Sequence, residues 1–167
     1  MIRYSSLQEY FYKLHNLLYA IVLVPLITFL VLYWQMYRGH ITGTFKDDEF
    51  LSQLLLMVFS FLVLTDWSVS MYLFNRGVKA TRTLDSLGKK LDRYFTFTLL
   101  RFALIGSGSL GLAIGFYLTE SQVFTVVFAS SFVLLLLFWP TSTKVCDDLQ
   151  LKGDERTLVL YRQDRLS

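Results

Sequence analysis

The chain has 167 residues, of which 54% are hydrophobic, 17% aromatic and only 17% charged, with a formal net charge of +3. Soluble domains carry about 25% charged residues, so an ordinary soluble domain is excluded, and a chain this apolar cannot stay solvated and unfolded. What is left is a small polytopic membrane protein, too short for the many spans of a two-domain transporter.

At the start of the chain, Ser6 followed by Glu9 has the spacing of a helix capping box. Tyr10, Phe11 and Tyr12 suit the headgroup region, where aromatic rings gather. This stretch reads as an interfacial helix running into the first span. No small-residue cleavage site follows a short apolar core, so the first hydrophobic segment is expected to remain as a membrane helix.

A bilayer core about 30 Å thick needs about 20 apolar residues in a helix. Four segments qualify: 17–37 with no charge, 50–74 with Asp66, 94–118 with Arg101, and 121–139 with none. The last stops at Pro140, which does not continue a helix comfortably. Strands of a membrane barrel would alternate polar and apolar residues, and runs such as 134–137, all leucine, do not. The expected fold class is therefore all-α: a polytopic membrane protein with four transmembrane helices in an antiparallel bundle over 1–140, then a tail over 141–167.

The connections are also readable. The loop 75–93 is long enough for extensions of spans two and three, broken near Gly77 or Gly88. Thr119 and Glu120 leave so short a turn that spans three and four must form a hairpin. After Pro140, Thr141 or Ser142 is expected to cap a short tail helix ended by Gly153, with a second short helix following. Basic residues set the orientation. The N-terminal segment, the second loop and the tail together hold thirteen Lys/Arg, and the first loop holds two, Arg38 and Lys46, offset by Asp47, Asp48 and Glu49. Both termini are expected in the cytoplasm of a bacterial inner membrane.

Asp66 and Arg101 are the charges inside the spans. A charge at mid-bilayer costs about 2.5–3.5 kcal/mol on insertion scales, so each should face protein. Asp66 lies nine residues before Asn75, and Arg101 seven residues after Tyr94. At about 1.5 Å per residue both sit roughly 10–14 Å deep. Level charges in helices joined by one loop predict a direct or water-bridged Asp66–Arg101 ion pair. That pair reads either as an interhelical clamp or as a proton- or substrate-linked site.

Span three also carries Ala103, Ser107, Gly111 and Gly115, small side chains at a spacing that lets another helix approach. They read as a packing face, within the bundle or toward a second copy. Pro25 should bend span one. Arg76, Lys79, Arg82, Lys89, Lys90 and Arg93 crowd the second loop and fit anionic lipid headgroups. Nucleic acid is not expected, for want of a larger basic face with stacking aromatics. His15 and His40 fall near opposite membrane faces and cannot share a metal. No cofactor or metal site is expected. Cys146, the one cysteine, reads as a reduced thiol, and no disulfide can form within the chain.

Within 87–151, the run Lys89-Lys90-Leu91, Tyr94, Arg101-Phe102-Ala103-Leu104, Tyr117-Leu118-Thr119, Pro140-Thr141, Lys144, Asp148-Leu149 and Leu151 resembles small four-helix inner-membrane proteins of Bacteroidetes-type bacteria. The resemblance implies location and topology and supplies no chemistry. Such proteins are expected to carry a glutamate and a glycine shortly after the Arg-x-Ala-Leu stretch, where this chain has Ile105, Gly106 and Ser107. The expected role is a non-catalytic membrane subunit or scaffold that associates with itself or with another membrane protein. The alternative is a small transporter or channel passing Asp66 and Arg101. An enzyme comes third, with Asp147 and Asp148 as its spare polar groups.

Overall fold

Several helices begin where a side chain closes the first turn. The Ser6 hydroxyl accepts the Glu9 backbone N–H at 3.1 Å, Asp48 Oδ1 that of Leu51 at 3.0 Å, and Thr141 Oγ1 that of Lys144 at 3.2 Å. These satisfy donors that a helix start leaves open. The computed structural model describes residues 6–162, and six α-helices are seen among them: α1 (Leu7–Tyr37), α2 (Glu49–Arg82), α3 (Leu87–Thr119), α4 (Gln122–Leu137), α5 (Ser142–Leu149) and α6 (Gly153–Tyr161). The all-α class holds. α1, α2 and α3 are each long and apolar enough to cross a membrane, and α4 with α5 makes a fourth if that broken pair counts as one crossing.

The expected N-terminal helix does run into the first apolar segment, since α1 is unbroken from Leu7 past Pro25 to Tyr37. Two other expectations change. The second loop breaks at 83–86 and at neither glycine: Gly77 lies inside α2 and Gly88 in the first turn of α3. Gly77 serves close packing, since a Cβ there would stand 2.5 Å from the Phe97 ring. Gly153 does not end the first tail helix. Gln150, at φ 53°, does that, and Gly153 opens α6. At the far end of α1, Gly39 at φ 71° is needed as a glycine. Its N–H bonds to the Met36 carbonyl at 3.0 Å and that of His40 to the Gln35 carbonyl at 3.0 Å, the paired bonds of a Schellman stop.

The chain divides into two compact units. The first comprises Met1–Tyr19, Met71–Arg101 and Trp139–Ser167. Its core is built from Tyr10, Phe11 and Leu14 of α1, Phe74 and Val78 of α2, Tyr94 of α3, and Val145, Cys146 and Leu149 of α5, all buried. Those three α5 positions share one helix face, which is why so short a helix docks. Tyr10 donates its hydroxyl to the Leu91 carbonyl at 3.2 Å.

The second unit, Ala20–Ser70 and Phe102–Phe138, packs aromatics around the glycines and alanine of α3. Phe29 stacks on Phe128 with centroids 4.1 Å apart and leans on Phe116 at 5.2 Å. Gly106 comes close to the Ile21 carbonyl, 3.4 Å from where its Cβ would be. That carbonyl stands four residues before Pro25, which has no N–H to offer it. The turn between α3 and α4 is two residues, with Glu120 at φ 57°. The 38–48 loop closes over it: the Phe45 N–H bonds to the Leu118 carbonyl at 2.8 Å and Lys46 pairs with Glu120 at 3.0 Å.

A Cβ on Gly43 would stand 3.1 Å from the Leu118 oxygen and 3.2 Å from the Glu120 nitrogen, both backbone atoms that cannot swing aside. Gly43→Val is therefore expected to cost about 1–3 kcal/mol, as overpacking does. Lys46→Ala, which removes only an exposed ion pair, should cost under about 1 kcal/mol. Melting both variants in detergent checks the order, and equal losses would refute the loop closure.

Candidate functional site: a buried arginine and a tail carboxylate

Tyr94, Thr98 and Arg101 stand at i, i+4 and i+7 on α3, and all three are buried. Arg101 retains only 4% exposure. A guanidinium is always charged, so its surroundings decide whether that burial is tolerable. From α2, Phe74 lies under it with the guanidinium carbon 4.5 Å from the ring centroid, and the Met71 sulfur accepts from Nη2 at 3.1 Å. Phe74 also meets Tyr94 edge-to-face, centroids 5.8 Å apart. The negative face of one ring thus serves the cation, while its edge contact holds Tyr94 in place.

The opposite charge comes from the tail. The Tyr94 hydroxyl donates to Asp148 Oδ2 at 2.9 Å, and both Tyr94 and Asp148 act electrostatically on Arg101. Arg82 Nε donates to the Asp148 backbone carbonyl at 2.9 Å, so this one residue is held at both ends. One turn earlier on α5, burial first and then the Arg101 charge keep the Lys144 ammonium below the usual lysine range, with Asp148 opposing them. A second tie joins α3 to α6, where Lys90 Nζ meets the Glu155 carboxylate at 2.8 and 3.1 Å. Neither of the two described cavities is lined by Tyr94, Arg101 or Asp148. The arrangement holds a charge and fastens a helix.

Asp66 belongs to the second unit and Arg101 to the first. The Asp66 carboxylate is half-buried against Gly108, whose missing Cβ would lie 3.0 Å from Oδ2. The glycine makes room for a polar group inside an apolar helix pair.

The small-residue row of α3 does not form one face. Ala103 and Ser107 are exposed, Gly111 packs against Phe59, and Gly115 against Phe124. The reason is geometric. At 100° per residue, a step of four overshoots a full turn by about 40°, so twelve residues swing the row through about 120°. Of the basic loop residues, Arg76, Lys79, Lys89 and Arg93 are exposed, while Arg82 and Lys90 are taken by Asp148 and Glu155.

Cys146 is fully buried, its thiol 3.8 Å from the Arg156 carbonyl. Burial pushes that thiol above the usual range, the Arg156 charge opposing and Asp147 adding to it. The thiolate is the reactive form, so maleimide labelling near neutral pH should run about ten-fold or more slower than for an exposed thiol and rise only at more alkaline pH. Labelling at the rate of a free thiol would mean that the α5–α6 packing is open.

Asp148 is the residue that sequence reasoning placed only among spare polar groups. The signal was present: a tyrosine seven residues before the span arginine shares its helix face. No family model matches this chain, and no curated protein or solved structure matches it.

Proposed function

We propose that this chain is a non-catalytic multi-pass membrane protein, a subunit or scaffold that associates with itself or with another membrane protein. In this reading α4 supplies the fourth crossing, both termini are cytoplasmic, and the membrane is a bacterial inner membrane. Supporting the membrane setting, exposed hydroxyls on the apolar helices bond back to their own chain. Thr28, Thr65, Ser68 and Ser130 each donate to the carbonyl four residues earlier, at 2.8–2.9 Å. Lipid offers no acceptor, so a hydroxyl facing it must find one locally.

The observation that carries the association is on α3. Of the three long apolar helices it is the most enclosed, yet it leaves Leu100, Ala103, Ser107 and Ile114 exposed. Those positions recur every three to seven residues along one stripe. The middle two are small, as a closely approaching helix requires.

Cysteines placed at Ala103 and Ser107 in a Cys146→Ser background test this. Oxidative crosslinking in membranes should give a dimer or a defined adduct at Ala103. A cysteine at Gly111, which packs against Phe59, should give none. Failure to crosslink at both exposed positions, together with no copurifying membrane protein, would refute the proposal. Tagged termini protected from protease on opposite sides would refute the topology.

A further inference from the structure

Between α1 and the end of α6 lies a cavity of about 720 Å³ whose lining includes Gln8, Tyr12, Asn16 and Tyr19 from one face of α1, and Tyr161 and Arg162 from α6. We propose that it holds the phosphate of a phospholipid headgroup, with Arg162 as the anchor.

The chemistry starts with Arg162. Its Nε donates to Ser142 Oγ at 3.4 Å, and its guanidinium carbon lies 4.8 Å from the Phe11 ring centroid. These two contacts orient the group and, among the described residues, leave its terminal amino groups for a bidentate anion, the geometry in which arginine binds phosphate best. Glu9 also lines the cavity, and its carboxylate is neutralised by Lys13 four residues on. The cavity therefore favours an anion. Its wall is set by His15, whose Nε2 meets the Pro140 carbonyl at 3.1 Å and whose ring stacks on Trp139. Tyr12 and Tyr19, 68% and 52% exposed, supply further hydroxyl donors.

A lipid rather than a soluble phosphate follows from what continues the face. Beyond Tyr19, exposed side chains on α1 recur at the same spacing as Leu23, Ile27, Leu30 and Trp34. A free anion needs no apolar track, whereas acyl chains do. The polar-to-apolar change near Leu17 sets the cavity at headgroup level, where tyrosines concentrate.

This proposal rests on the membrane reading, and the experiment separates the two. The full chain is purified in mild detergent and examined by native mass spectrometry with phosphatidylglycerol, with phosphatidylethanolamine and, separately, with inorganic phosphate. One retained phospholipid per chain is expected, with retention at least five-fold lower in Arg162→Gln and unchanged in Lys152→Gln, which removes an exposed cation elsewhere on the tail. A diazirine-bearing headgroup should crosslink to peptides of α1 and α6. Equal retention by wild type and Arg162→Gln overturns the site, as does displacement of the lipid by millimolar inorganic phosphate. Lipid binding that appears only after deletion of residues 163–167 also overturns it, since the chain's own end would then be the occupant. Carbonate washing of membranes reads the membrane assignment alone: release of the chain defeats both proposals, whereas a chain that stays and yet fails the Arg162 comparison defeats only this one.

Discussion

Replacing Asp148 with alanine is expected to destabilise the protein by about 2–3 kcal/mol and to free its tail. Leaving a buried charge without its counter-charge costs about 3–5 kcal/mol, and the lower figure allows for Asp148 being only half-buried and reaching Arg101 electrostatically, through Tyr94, to which it is hydrogen-bonded. The cost arises less from the lost attraction than from what remains. Arg101, at 4% exposure, would keep its charge while losing the Asp148 carboxylate that acts on it, with the Phe74 ring and the Met71 sulfur still beside it. Asp148→Asn should fall between, because an amide oxygen still accepts from Tyr94. Tyr94→Phe should cost about 1 kcal/mol, the net worth of one hydrogen bond. Melting in detergent gives the ranking, and Cys146 labelling reports the tail directly, since α5 carries both residues. An alanine variant that melts like wild type with Cys146 still protected would show that the carboxylate does not fasten the tail. In a double-mutant cycle, Tyr94→Phe and Asp148→Ala should be non-additive, because they delete the two ends of one bond.

The second large effect is expected at Gly115. A Cβ there would stand 2.7 Å from Phe124 Cζ. That ring cannot retreat: Phe124 has no exposed surface and meets Phe59 edge-to-face, centroids 6.0 Å apart. Gly115→Ala should cost about 1–3 kcal/mol through overpacking, and Gly115→Leu should prevent the α3–α4 hairpin from closing. Phe124→Leu alone should also destabilise, by leaving a void. Combined with Gly115→Ala, however, it should recover stability, because the shorter side chain vacates the space that the methyl enters. A double variant as weak as the two losses added together would mean that the two helices do not touch there. Gly111, whose Cβ would stand 3.5 Å from Phe59 in ordinary contact, should accept alanine at little cost and serves as the internal comparison.

Local features were legible before any coordinates. The Ser6 and Thr141 caps and the two-residue turn at Glu120 all appear as expected. Each depends on neighbours within a few residues, which the chain order states outright. The basic second loop shows where such reading stops. Six cations looked alike in sequence, yet Arg82 and Lys90 are drawn to Asp148 and Glu155, partners 66 and 65 residues away. Gly77 and Gly88 looked like breaks, and neither is one, because the ring that fills the space beside Gly77 belongs to Phe97 on the next helix. The row from Ala103 to Gly115 was misread as one face by ignoring the drift of a four-residue step around a 3.6-residue turn.

Composition and hydrophobic run length alone determined that this chain is helical and apolar enough to cross a membrane several times, because the thickness of a bilayer and the rise of a helix leave few other solutions. Which carboxylate attends the buried arginine was decided only by tertiary structure. A helix periodicity reports the face on which a charge lies, but not which distant segment folds back against it. Here a break at Pro140 and three apolar positions on an eight-residue helix bring Asp148 to Tyr94.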